Sequence, residues 1–66
     1  MSRKIMNFGD KLRIARKRKG LEQSELASLV GVSRNSISNW ENGKVEIRKN
    51  HILVLCKILG VGKNYF

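Results

Sequence analysis

Four glycines divide the chain, and each follows a stretch in which apolar residues recur at helical spacing. They are Gly20, Gly31, Gly43 and Gly60. A glycine just past a helix end adopts a left-handed backbone that other residues avoid, so this punctuation indicates short helices. The helices are predicted over residues 8–19, 22–30, 34–42 and 49–59, with the start of a fifth near Gly62. No segment alternates as a strand does, so the predicted fold class is all-α, a compact bundle of four to five short helices.

The short chain limits what can stabilise such a bundle and which chemistry it can carry. With 66 residues it forms one domain at most, around a small apolar core. Cys56 is the only cysteine and His51 the only histidine, so neither an internal disulfide nor a Cys/His zinc site can form. These two side chains offer no catalytic dyad, and no glycine-rich phosphate loop is present. We therefore expect no enzyme activity, no metal and no cofactor, and the unpaired thiol suits the reducing cytoplasm.

Positive charge dominates the composition and is concentrated near the N-terminus. Fourteen Lys and Arg residues stand against five Asp and Glu residues, a formal net charge of +9, and eight of the fourteen lie within residues 3–19. Such an excess points to a polyanionic partner, either nucleic acid or an anionic membrane surface. No run of about 18 apolar residues occurs, so no membrane span is expected. Residues 1–7, with Arg3 and Lys4, are predicted to form a flexible basic arm before a domain over residues 8–66.

Only three residues separate the second and third predicted helices, namely Gly31, Val32 and Ser33. Two short helices joined by a tight turn that begins with glycine are typical of a helix-turn-helix. Ser33 suits the N-cap of the third helix, because its hydroxyl can accept a hydrogen bond from an N–H group of the first turn. Val32 can pack between the two helices and hold the angle between them.

The third helix combines a narrow apolar side with an outward face of amide and hydroxyl groups. At roughly 100° per residue, Ile37 and Trp40 lie on the buried side. The outward face carries Arg34, Asn35, Ser38, Asn39 and Asn42. Asn can pair with adenine and Arg with guanine through two hydrogen bonds each, so all of these but Asn42 are predicted to read base edges with helix 34–42 in the major groove. The alternative is that they only solubilise an exposed helix.

Residues 21–44, LEQSELASLVGVSRNSISNWENGK, resemble the helix-turn-helix of the Cro and phage-repressor type, also called the xenobiotic-response-element family. The similarity extends from KLRIARKRKGL in the first helix to LCKILGV in the fourth. It implies a lambda-repressor-like bundle whose helices 2 and 3 form the helix-turn-helix. It also implies a bacterial or phage transcriptional regulator, a repressor, that acts in the cytoplasm on double-stranded DNA. Members usually bind two-fold symmetric operators, so a homodimer is expected at least on DNA.

The resemblance also assigns roles to side chains around the third helix. Gln23, Asn42 and Lys44 match family positions that contact DNA phosphates. For Gln23 the physics agrees, because the N-terminus of a helix attracts anions. Arg16 and Glu41 match an ion pair that joins the first and third helices, so Glu41 is expected to be structural.

The basic run that ends the first helix has two possible roles, and the residue that precedes the second helix is unusual for the family. In the run RKRK, the side chains of Lys17, Arg18 and Lys19 either contact phosphate or form a solvated face. Glu22 departs from the family pattern, which often has Ser or Thr as the N-cap of the second helix. A weak cap is therefore expected at that position.

Two other classes of function compete with DNA binding. The first is a helix-turn-helix module that acts through protein–protein contacts, such as an antitoxin-like partner. Acidic or apolar residues on the outward face of the third helix would favour it, and that face has neither. The second is a membrane-active basic peptide built on the amphipathic first helix. It would require a larger apolar face there and would leave residues 21–60 without a purpose.

Overall fold

The computed structural model describes residues 7–66, and in this range it is all-α, as predicted. Its elements in order are α1 (Phe8–Arg18), α2 (Gln23–Val30), α3 (Arg34–Glu41), α4 (Lys49–Leu59) and a 3₁₀ turn (Lys63–Tyr65). The predicted bounds of α4 are confirmed, and those of the other three helices differ by one residue at one end. The predicted fifth helix is only this single 3₁₀ turn. Apart from Asn7, the predicted N-terminal arm lies outside the described residues.

Side-chain hydrogen bonds mark the beginnings of the first three helices, and at α1 and α3 the residue before the helix accepts from an N–H group of the first turn. The Asn7 side chain accepts from the Asp10 N–H at 2.9 Å. Ser33 Oγ accepts from the Ser36 N–H at 3.2 Å, which confirms Ser33 as an N-cap. At α2 the carboxylate of Glu25 reaches back to the Glu22 N–H at 2.8 Å, so a bond from inside the helix accompanies the expected weak cap.

One large aliphatic side chain from each α-helix meets at the centre of the core. Leu12, Leu26, Ile37 and Leu55 are each 0% exposed. Trp40 packs against this cluster at the end of α3. Burial of four such side chains, each contributing about 1.5–3 kcal/mol, is the main term that holds the four helices together.

A close contact between backbones positions α1 on the end of α3. Gly9 is buried there, and a Cβ on it would lie 2.9 Å from the Trp40 carbonyl oxygen and still closer to that of Glu41. The Arg13 guanidinium donates to the same Glu41 carbonyl oxygen at 3.3 Å. The lack of a side chain at position 9 therefore fixes how near α1 can approach α3.

The end of the chain packs back on α1. The Phe66 ring lies 4.7 Å from the Phe8 ring, centroid to centroid. The Tyr65 hydroxyl donates to the Lys11 carbonyl oxygen at 3.2 Å. These contacts close the bundle on the side of α1 where the helix begins.

Candidate nucleic-acid interface

The turn between α2 and α3 has the predicted length and is held by two backbone hydrogen bonds. The N–H groups of Gly31 and Val32 both donate to the Ala27 carbonyl oxygen, at 2.8 and 3.0 Å. Gly31 has φ +88°, a left-handed conformation that strains any residue with a Cβ. The half-buried Val32 side chain packs on the core, so the angle between the two helices is fixed by both backbone and packing.

The outward face of α3 is a continuous polar row, while Ile37 and Trp40 point into the core. Arg34, Asn35 and Asn42 are exposed, and Ser38 and Asn39 are half-buried. The Asn42 amide donates to Ser38 Oγ at 3.4 Å, which joins a residue predicted to contact phosphate to one predicted to read bases. The structure thus brings all the predicted base-reading side chains to one face of one helix.

Arg16 and Glu41 lie together between α1 and α3, at the place that the family resemblance implies. Arg16 Nε donates to one carboxylate oxygen at 2.6 Å and Nη2 to the other at 3.2 Å. Arg16 Nη1 also donates to the Leu21 carbonyl oxygen at 2.8 Å. The two side chains are only 9% and 1% exposed, so this is a buried, two-pronged ion pair.

Two further side chains contact the Glu41 carboxylate. Gln23 Nε2 donates to Glu41 Oε1 at 3.1 Å, and Arg13 Nε lies 3.7 Å from the same oxygen. The sequence analysis did not identify Arg13 as a partner of Glu41, because it resembles the solvated cations of α1. Its position three residues before Arg16, on the same face of the helix, was the available signal.

Gln23 connects this buried centre to the polar row. The guanidinium of Arg34, the first residue of α3, donates through Nη1 to Gln23 Oε1 at 3.1 Å. Gln23 is half-buried and Arg34 is exposed. One residue predicted to contact phosphate and one predicted to read bases are therefore joined directly.

A groove runs beside the N-terminus of α2, with cationic side chains on its walls. It is lined by Arg16, Lys17, Gly20, Leu21, Glu22, Gln23, Ser24 and Arg34. Lys19, by contrast, lies against the end of α4, where a Cβ on Gly60 would be 3.4 Å from its Nζ. Arg18 and Lys44 are exposed. The cluster at 17–19 thus divides, and within it only Lys17 lines the groove.

Other kinds of site find little support in the described part of the chain. Residues 7–66 contain no group of three or more His, Cys, Asp and Glu side chains that could hold a metal ion. His51 packs on the Trp40 ring, with centroids 5.2 Å apart, and Cys56 is buried with Sγ 3.6 Å from the Gly62 carbonyl oxygen. Over the same range no helix combines the length and the apolar character needed to cross a bilayer.

Comparison with known proteins places this architecture in a family. A family model described as Helix-turn-helix matches residues 12–66. The chain is 35% identical over 58 residues to Repressor protein C2 of Salmonella phage P22, covering 88% of this chain and 27% of that protein. It is 38% identical over 54 residues to Antitoxin PezA of Streptococcus pneumoniae serotype 4, covering 82% of this chain and 34% of that protein. It therefore spans about a quarter to a third of the length of these curated relatives.

The fold agrees with the same assignment. The crystal structure of the P22 c2 repressor in complex with the synthetic operator 9T has a TM-score of 0.86 and 33% identity, and the match covers 92% of each chain. With a family model over most of its length and this likeness in fold, the chain belongs to the helix-turn-helix family, with the repressors of Cro and phage type among its relatives.

Proposed function

We propose that this chain is a sequence-specific double-stranded DNA-binding module of a transcriptional regulator, a repressor that blocks polymerase by occupying an operator. The observation that carries the proposal is the polar row of α3, held on a rigid helix-turn-helix whose turn and ion pair fix its direction. In a helix-turn-helix, the second helix of the motif, here α3, enters the major groove and presents its N-terminal residues to the bases. Arg34, Asn35, Ser38 and Asn39 are the side chains that would read them.

Phosphate contacts would surround this helix on both sides. On one side lies the groove at the N-terminus of α2, where Lys17 and Gln23 stand beside free N–H groups of the helix. On the other side lie Asn42 and Lys44, just past the end of α3. Arg18, which is exposed, completes the proposed phosphate set, and Lys19 is left out of it because its side chain lies against the end of α4. The net charge of +9 supports contacts of this kind, because each neutralised phosphate releases counterions from the duplex.

The module would act as a pair of chains on a two-fold symmetric operator, in the cytoplasm of a bacterium. One recognition helix reads only a few base pairs, too few to define a single site in a genome. Two chains related by a two-fold axis would place their helices about one helical turn apart. Val45, which is 49% exposed in the segment after Gly43, is an apolar side chain available for such a contact.

Selection of bound sequences from a random duplex pool tests this function directly. The expected result is one enriched sequence with two inverted half-sites, centred about 10–10.5 base pairs or a multiple apart. A double variant, Asn35→Ala with Asn39→Ala, should keep low-salt DNA binding and lose the enrichment. If the unmodified chain retains duplexes without any preferred sequence, the proposal is wrong.

A second candidate is a module that binds another protein, as in a toxin–antitoxin pair. The likeness to Antitoxin PezA favours it, as do two neighbouring apolar residues on the outer face of α4. These are Leu53 and Val54, which are 38% and 37% exposed. On this alternative, Leu53→Ser and Val54→Ser would abolish function in the cell while sequence-selective DNA binding in solution stays intact. We assign no enzyme activity to either candidate.

A further inference from the structure

We infer that α3 recognises its operator through the hydrogen-bonding edges of purines and makes no use of the C5 methyl groups of pyrimidines. The inference rests on the proposed function and names the class of operator that this site selects. Each half-site would present one guanine edge and two adenine edges to the helix. Methylation of such an adenine at N6, and not methylation of a pyrimidine at C5, would then control binding.

The outward face of α3 presents polar atoms to its partner. The apolar side chains of this helix, Ile37 and Trp40, are 0% and 6% exposed and belong to the core, and Val32 ahead of it also packs there. In the polar row, Asn and Ser carry one methylene group next to the backbone and Arg ends in a guanidinium, so each extends a polar group from the helix. The large apolar side chains that the described residues expose all lie outside α3, namely Leu29, Val45, Leu53 and Val54. A thymine methyl group, which Ala, Thr or Phe would contact, therefore meets no apolar partner on this face.

Purines alone offer two hydrogen-bonding groups on the edge that faces the major groove. Adenine has the N7 acceptor and the N6 donor, guanine has the acceptors N7 and O6, and each pyrimidine has one polar group. An Asn amide both donates and accepts, so Asn35 and Asn39 match adenine. The Arg34 guanidinium only donates, so it matches guanine. These three side chains each gain two bonds from a purine and at most one from a pyrimidine.

The acidic residue of α3 does not take part in this recognition. A carboxylate on the outward face would accept from the N4 amino group of cytosine and so select a pyrimidine. Glu41 is the one acidic residue of α3, and its side chain is 1% exposed with both oxygens bonded to Arg16. The exposed charge of α3 is thus the cation Arg34, which favours the two acceptors of guanine.

The two strands of a contacted A·T pair should therefore respond differently to chemical change. A methyl group on adenine N6 replaces the hydrogen that the Asn amide oxygen would accept, and a polar group left unpaired in this way costs roughly 5- to 150-fold in affinity. A thymine methyl group buried against an apolar side chain would contribute about fourfold. Against the polar row, its removal should change affinity by less than about twofold.

Modified operators test the inference, with the best duplex from the selection as the probe. The A·T pair whose preference Asn39→Ala relaxes is altered one base at a time. Deoxyuridine in place of thymine removes only the methyl group, and we expect it to change the Kd by less than about twofold. Replacement of adenine by 7-deazaadenine removes only the N7 acceptor and should raise the Kd by about 2- to 10-fold, and N6-methyladenine should raise it by at least about fivefold.

Two controls assign these effects to the contact. The same three replacements at an A·T pair outside both half-sites should each change the Kd by less than about twofold. In the Asn39→Ala protein both adenine modifications should lose their effect at the contacted pair, because the amide that they disturb is already absent. The pair relaxed by Asn35→Ala should respond in the same way as that of Asn39.

Three results would each show that the inference is wrong. They are a loss of twofold or more with deoxyuridine, an effect of less than twofold with 7-deazaadenine, and relaxation of G·C pairs instead of A·T pairs by Asn35→Ala and Asn39→Ala. Each of them leaves sequence-specific binding, and with it the proposed function, intact. If the selection enriches no sequence, the proposed function fails and the inference fails with it.

Discussion

Removal of the Glu41 carboxylate should nearly unfold the domain. In Glu41→Ala the Arg16 guanidinium, 9% exposed, keeps its bond to the Leu21 carbonyl oxygen at 2.8 Å but loses both carboxylate contacts. A buried charge left without its partner costs about 3–5 kcal/mol. A chain of 66 residues has a total stability of roughly 3–10 kcal/mol, so the loss consumes much or all of it. Arg13 adds little to the penalty, because it is 38% exposed and water can solvate it.

Urea unfolding followed by the fluorescence of Trp40, the only tryptophan, measures this loss. Glu46→Ala is the matched control, since Glu46 is exposed, and it should change the free energy of unfolding by less than about 0.5 kcal/mol. The paired replacement Arg16→Met with Glu41→Leu should recover most of the stability, because no charge remains buried. If the free energy of unfolding of Glu41→Ala lies within about 1 kcal/mol of that of the unmodified chain, the Arg16–Glu41 pair is solvated and not buried, since only a solvated ion pair costs so little.

Three further substitutions test the packing of α1, the N-cap of α3 and the phosphate contact of Lys44. Gly9→Ala should cost about 3 kcal/mol or more by the same urea assay, because the new methyl group meets backbone atoms that cannot yield, whereas Gly62→Ala, in open space, should be nearly neutral. Ser33→Ala should lower the unfolding free energy by about 1 kcal/mol through loss of the N-cap, and no change would show that the bond at 3.2 Å contributes nothing. Lys44→Ala should reduce the slope of log affinity against log salt by about one unit, and an unchanged slope would remove it from the phosphate set.

The helices and the turn could be predicted because their signals are local. Gly31 and Ser33 end one helix and begin the next through bonds within a few residues, so composition and spacing suffice to locate them. The polar face of α3 could be predicted equally well, because helical geometry alone fixes which side of the helix faces away from Ile37 and Trp40.

Features that depend on contacts between distant segments could not be read in the same way. Gly9 carries no local sign of its role, since the atoms that exclude a side chain there belong to residues more than thirty positions away. Lys17 and Lys19 look alike in the sequence, yet about 200° of helix separates their directions, so one lines the groove at α2 and the other lies beside Gly60. The bond of Gln23 to Arg34 likewise depends on how two helices pack.

Asn39→Ala probes, at a single side chain, whether the polar row of α3 reads base edges. Asn39 is half-buried in this row, and a bidentate contact from its amide would give about 1–3 kcal/mol of discrimination at one base pair. Relative affinities for every single-base variant of the selected operator are measured for the Asn39→Ala protein and for Asn64→Ala, a matched control whose exposed side chain lies in the 3₁₀ turn. We expect Asn39→Ala to relax one position in each half-site while non-specific binding and folding stay nearly unchanged. If the Asn39→Ala protein keeps the full sequence preference of the unmodified chain, Asn39 does not read a base and the polar row is only a solvated surface.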